Sequence, residues 1–197
     1  MGAIFLLKYT DLSQHLHLLR HEATSRPVGA AMRVSEVWSA IVASNMTSIE
    51  EIRFFEADLP RPCDGLFARM LNSETGNEVA VIYVHKTLDK HWKEFVAIKE
   101  MMHCFTPGAK YINGPKDAAG LVEALASRSP RYTPAVAADD GAILAAAEVM
   151  LPHYTVERLT QAGQDLAQVA HHHGLHVDVV QQVCRVDFIH HRKNGGF

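Results

Sequence analysis

Cysteine is scarce in this chain: Cys63, Cys104 and Cys184 are the whole complement of 197 residues, an odd number with no C-x-x-C pair. That argues against a disulfide framework and for a reducing compartment. Long apolar runs are missing as well, and no stretch nears the roughly 18 apolar residues of a membrane helix. The six apolar residues that follow Met1 are too short for a signal-peptide core and have no basic segment before them, so a cytoplasmic location is expected. Gly2 invites N-myristoylation, but Leu6 stands where that motif needs Ser or Thr. An excess of positive charge is absent too. Lys and Arg total 19 against 22 Asp and Glu, a formal charge of -3, which excludes a broadly basic nucleic-acid surface. There is no internal repeat, and the one low-complexity tract is His171-His172-His173.

What is present is ordinary globular composition, 48% apolar and 21% charged. Folding at this length buries about 70% of the extended-chain surface, so the core needs no metal or disulfide staple. A single domain over residues 1–197 is expected.

The first 50 residues read as helical. Leu12, Leu16 and Leu19 recur at i, i+4 and i+7, and Val34, Val37 and Ile41 repeat the spacing after Arg26-Pro27-Val28-Gly29, with Ser35 as N-cap. Residues 51–88 change to β-type runs: Ile52–Glu56, Leu66–Leu71 and Val79–Val84. The last two are joined by the turn formers Asn72–Asn77, which predicts a hairpin in a small, mostly antiparallel sheet. Helical period returns over 89–106, with Asp89 as N-cap, Trp92, Phe95, Ile98, Met102 and Phe105 as the apolar stripe, and Pro107-Gly108 as the stop. Further helices are expected at 117–127, at 139–151 before Pro152, and at 155–162, 165–173 and 176–191. Gly163 and Gly174 mark breaks, and Ser129–Pro134 forms a loop.

The helix over 89–106 carries Lys99-Glu100-Met101-Met102-His103. Positions 99 and 103 share a face and 100 stands beside them, the geometry with which H-E-x-x-H holds zinc and a general base. Here Lys99 replaces the first histidine, and a protonated lysine has no lone pair for a metal. His103 remains as a ligand and Glu100 as a candidate base. Any Glu-x-x-His on an amphipathic helix also serves as a plain surface pair. Cys104, beside His103, points about 100° away from it and reads as a small buried residue rather than a nucleophile.

A hairpin before this helix, and an Ala-rich helix 36 residues after His103 ending in Val149-Met150-Leu151-Pro152, make the order similar to the ImmA/IrrE family of small zinc metallopeptidases. In that family a sheet precedes the H-E-x-x-H helix, and a later helix of pattern E-x-x-A-N-x-F-A-x-x-L-L-M-P supplies the third ligand. Counting back from Pro152 sets Ala146 and Ala142 on the family's alanines and Asp139 on its ligand glutamate. Trp92–Phe95 resembles the R-x-R-F-T lead-in, and Asp165–Ala170 with Val177–Val183 resembles the family's final helix pair, so the likeness spans about residues 30 to 190. It implies an α+β, zincin-like fold: helices over 1–50, a sheet over 51–88, the motif helix, and a helical part over 115–191.

The departures fall on the chemistry: Lys99 for His, the shorter Asp139 for Glu, and Ile143 and Ala145 for Asn and Phe. A catalytic zinc takes three protein ligands and a water, and the motif positions offer two, His103 and Asp139. The expectation is a chain without a metal cofactor, in which the Lys99 ammonium replaces the lost cation and pairs with Asp139 and Glu100. An ammonium beyond about 6 Å from both carboxylates would exclude it. Asp139-Asp140 can also open its helix, where acids oppose the dipole, and the two readings are compatible. By resemblance the chain is a degenerate metallopeptidase-like regulator of the phage, mobile-element or stress-response kind, and a helix-turn-helix repressor is the implied protein partner.

Two alternatives stand beside this. In the first, an active zinc peptidase, Glu100 acts as base while His103, Asp139 and a further ligand hold the ion. His91 and His153 are the remaining histidines close in pattern. In the second, 166–183 reads DNA as two short helices about Gly174. Residues 155–197 carry balanced charge, four Arg or Lys against four Asp or Glu, which argues for packing rather than phosphate contact. Of the 13 histidines seven lie between His153 and His191, and the triple run reads as a solvated helix end.

Overall fold

The structure is a computed structural model that describes residues 7–106 and 134–197. It is α+β: the described residues form eight helices and a three-stranded mixed sheet. Helices α1 (Tyr9–Thr24) and α2 (Val34–Ala43) lead into β1 (Ile49–Ala57), β2 (Gly65–Leu71) and β3 (Glu78–His85). Helix α3 (Lys90–Met102) follows and tightens into a 3-10 turn, His103–Phe105. After the interval come α4 (Pro134–Met150), α5 (His153–Gln161), α6 (Leu166–His173), α7 (Val177–Val183) and α8 (Val186–Asn194). Among the described residues, no helix is long and apolar enough to cross a membrane.

The strand order is β1-β3-β2. The hairpin between β2 and β3 is antiparallel as expected, but β1 pairs parallel to β3, so the sheet is mixed rather than mostly antiparallel. The near-continuous apolar run Val79–Val84 accounts for this: it suits a strand covered on both faces, and β3 takes the centre while β1 and β2 become edges.

Helix α4 is the spine, packed against α1 on one side, α3 on another, and α8. Its Ala142, Ala145, Ala146 and Ala147 are fully buried, and side chains this small let neighbouring helices approach closely. Its last carbonyls all find donors. Ser13 Oγ donates to the carbonyl of Glu148 at 2.9 Å, and His17 Nε2 to that of Val149 at 2.9 Å. The Met32 amide donates to the Met150 carbonyl at 3.1 Å, and Arg192 to that of Leu151 at 2.6 Å. Four orphan acceptors of a helix end are thereby satisfied without water.

Several boundaries differ from the sequence reading, each for a local reason. Ser35 lies inside α2, and Arg33 is its N-cap. The Glu36 carboxylate accepts from the Arg33 amide at 2.9 Å, which closes the first turn from the other side. Helix α4 starts at Pro134, not at Asp139, because proline suits the first helical position, where no amide hydrogen is needed. The reading of Asp139-Asp140 as the helix-opening pair is therefore overturned. The segment expected as one helix over 176–191 is two, α7 and α8, parted at Cys184-Arg185. Gly163 and Gly174 break the chain as expected, both at positive φ. The Pro107-Gly108 stop and the helix expected at 117–127 lie outside the described residues.

Candidate functional site

Strand β2 and helices α3 and α4 build the site. Residues 65, 67 and 69 of β2 face α3, as alternate positions of a strand must. A Cβ on Gly65 would collide with the Glu100 carboxyl group and lie 2.7 Å from Val96 Cγ1, so only glycine lets β2 come this close. The Phe67 ring lies 5.7 Å from the His103 ring. Arg69 donates to the Cys104 carbonyl at 3.0 Å, pairs with Glu78 at 3.1 Å, and so sets a cation at the end of the helical run.

On this platform the four expected residues meet. Lys99 Nζ is 2.8 Å from Glu100 Oε1 and forms a second ion pair with Asp139 Oδ1 across from α4. His103 Nε2 stands 3.8 Å from Glu100 Oε2 and 3.7 Å from Asp139 Oδ1. The Glu100 side chain is 2% exposed, while Lys99, His103 and Asp139 keep 13%, 16% and 20%, an opening on one side. Burial raises the Asp139 carboxyl, but the hydrogen bond from His103 and the charge of Lys99 outweigh it and hold the group down at about 2. Burial likewise opposes the Lys99 charge, and the two carboxylates overcome it, so the ammonium stays protonated well above its ordinary range.

A catalytic zinc does not fit this donor set. An ammonium stands between the carboxylates, the motif positions offer two rather than three ligand side chains among the described residues, and Glu100, the base of the peptidase alternative, already binds Lys99. What the arrangement can do is hold a fixed positive charge, paired and partly open to solvent.

Sequence reasoning missed Gly65, Phe67 and Arg69, although their i, i+2, i+4 spacing was there to be read. It missed Cys63 as well, whose thiol is pushed up by burial and sits in the electrostatic reach of Lys99, Glu100 and Asp139. Cys104 is buried as expected, and burial pushes its thiol up to about 12.

His153 and His91 are not part of this cluster. His153 Nδ1 binds Glu148 at 2.7 Å, at the far end of α4. His91 lies beside His176 and Asp178. The segment 166–183 does form two short helices about Gly174, the first closed by mutual hydrogen bonds between Asp165 and Gln168. Val169, Ala170, Val179, Val180 and Val183 bury its inner face. No family model, no curated protein and no solved structure matches the chain.

Proposed function

We propose that this protein is a metallopeptidase-like regulator of the ImmA/IrrE kind, with a zincin-like frame, in which a lysine has replaced the catalytic metal. It acts by binding a protein partner, a helix-turn-helix repressor, and not by cutting it. One observation carries the reading: Lys99 Nζ is paired with Glu100 and with Asp139, and His103 is within 4 Å of both carboxylates. A lysine on a chance surface helix would gain a few tenths of a kcal/mol from one exposed partner and would stay solvated. Here the cation is 13% exposed and held by two acids from two elements.

The reversal Lys99→His tests it. Untagged full-length parent and variant are compared by metal analysis after dialysis against zinc. The variant is expected to gain about one zinc per chain over the parent, and Asp139→Asn in the variant should remove that gain. Lack of any gain in a folded variant would end the proposal. So would zinc in the parent that His103→Ala or Asp139→Asn abolishes, since the site would then be a working metal centre. Helix-turn-helix repressors mixed with the parent should be retained and stay intact. Their cleavage would return the protein to the peptidases.

A further inference from the structure

A second group of ligand-type side chains lies at the opposite end of α3 from the Lys99 motif. His91 is in the first turn of α3, His176 is the N-cap residue of α7, and Asp178 is in the first turn of α7. One ligand atom from each lies within 4.8 Å of the other two. Residues 85 apart in the chain are brought together here by the packing of α7 on α3.

We propose that His91, His176 and Asp178 form a binding site for a divalent transition-metal ion of the zinc, cobalt or nickel class. Two independent features point to it. His91 Nε2 is buried and has no hydrogen-bond partner among the described residues, a costly state for an imidazole nitrogen and one that coordination would relieve. The two rings also stack face to face, with centroids 3.8 Å apart and planes 11° from parallel.

Two imidazoles and one carboxylate, with water completing the shell, suit borderline metals and not magnesium or calcium, which take oxygen ligands. A tetrahedral centre with bonds of about 2.0–2.1 Å brings its ligands to roughly 3.4 Å from one another. Closing from the present spacing requires the rings to turn out of their stack. His176 and Asp178 are free to do this, with side chains 44% and 55% exposed. The His176 Nδ1 now accepts weakly from the Asp178 amide at 3.3 Å, a contact that coordination can replace. The neighbouring cation, Arg33, is already engaged by Glu94 at 2.8 Å and by the Gly174 carbonyl. The bound ion would fasten α3, which carries Lys99 and Glu100, to the second helix of the C-terminal pair.

The test is titration of the untagged full-length protein with Zn2+ by calorimetry, and with Co2+ by visible absorption. One ion per chain is expected, with cobalt bands that report nitrogen ligation. His91→Ala, His91→Gln and His176→Ala should each weaken binding at least tenfold, and Asp178→Asn several-fold, with folding checked by circular dichroism. The paired variant His171→Ala/His172→Ala should bind as the parent does, and Mg2+ should not compete. Absence of stoichiometric binding in the parent overturns the site. Binding unchanged in both His91 variants overturns it too, as does binding lost only with the 171–172 pair, which would mark the histidine run as the binder. The Lys99 proposal fails on a different result, zinc in the parent lost with Asp139→Asn, so the two are separable.

Discussion

The two ends of α4 each carry a buried charge network, and they are built differently. At the C-terminal end Glu148 meets Arg192 at 2.8 Å, and the two side chains are 1% and 0% exposed. The guanidinium fork also reaches the Val183 carbonyl at 2.7 Å and the Leu151 carbonyl at 2.6 Å, while His153 takes the second carboxylate oxygen. Nearly every polar atom there has a fixed partner, and the cation ties the ends of α4 and α7 together. At the other end, nine residues earlier, Asp139 meets a lysine, whose ammonium is a point charge on a flexible stem. That network stays open to solvent on one side. A closed network of planar, multiply bonded groups fixes a fold, and an open one built on a point charge leaves something for a ligand to meet.

Breaking the closed end should cost most. Arg192→Met leaves Glu148 buried with only His153 beside it and no fixed cation, and a loss of about 3 kcal/mol is expected in chemical denaturation. Glu148→Gln combined with it should recover part of that loss, because no charge is then stranded.

Acid should reach the same end first. His17, fully buried, donates from Nε2 to Val149 and accepts at Nδ1 from Arg20 at 3.2 Å. Burial and the neighbouring Arg20 charge hold it down at about 4, against the small opposing effect of its bond to Val149. The unfolded chain therefore takes up a proton that the folded one refuses. This contribution is complete above about pH 6.5 and is lost as the pH falls to about 4, amounting to about 3 kcal/mol. A His17→Gln variant should be less stable at neutral pH and should lose its share of that slope, leaving the part that His173, likewise held down to about 4 by burial, contributes in the same window. Asp139 works in a lower window: its depressed carboxyl stabilises the fold above about pH 4, and that share is lost toward pH 2. Stability measured against pH should fall in two stages, the closed end before the open one.

At the open end the effects should be smaller. Lys99→Met strands two carboxylates, but solvent reaches Asp139, and a loss of about 2 kcal/mol is expected. Asp139→Asn added to it should restore part. A loss as large as that of Arg192→Met would erase the contrast between the two ends. Gly65→Ala, which pushes β2 off Glu100, should cost about 1–2 kcal/mol in thermal melts and weaken partner binding more than a surface change of equal stability cost.

Periodicity alone carried much of the secondary structure. The leucine spacing of α1, the turn-rich Asn72–Asn77 hairpin and the stripe of α3 are local patterns, and the structure places those elements where the patterns do. The parallel pairing of β1 with β3 was not legible, since strand direction depends on which strand takes the centre. Ser35 and Asp139-Asp140 misled because residue type suggests a cap, whereas Glu36 and Pro134 did the local work. Lys99, Glu100 and His103 were legible as one face of a helix. That Asp139 joins them depended on matching a motif across 36 residues, not on any local rule.

The sequence by itself determined most of the described helices and strands, and that one continuous helical run offers Lys99, Glu100 and His103 together, because periods of 3.6 and 2 residues act over a few turns of chain. Only the tertiary structure decided which charges are closed off and which stay open. It set Arg192 on Glu148, Asp139 on Lys99, and His91 against His176, since burial and partner geometry arise from how distant elements pack.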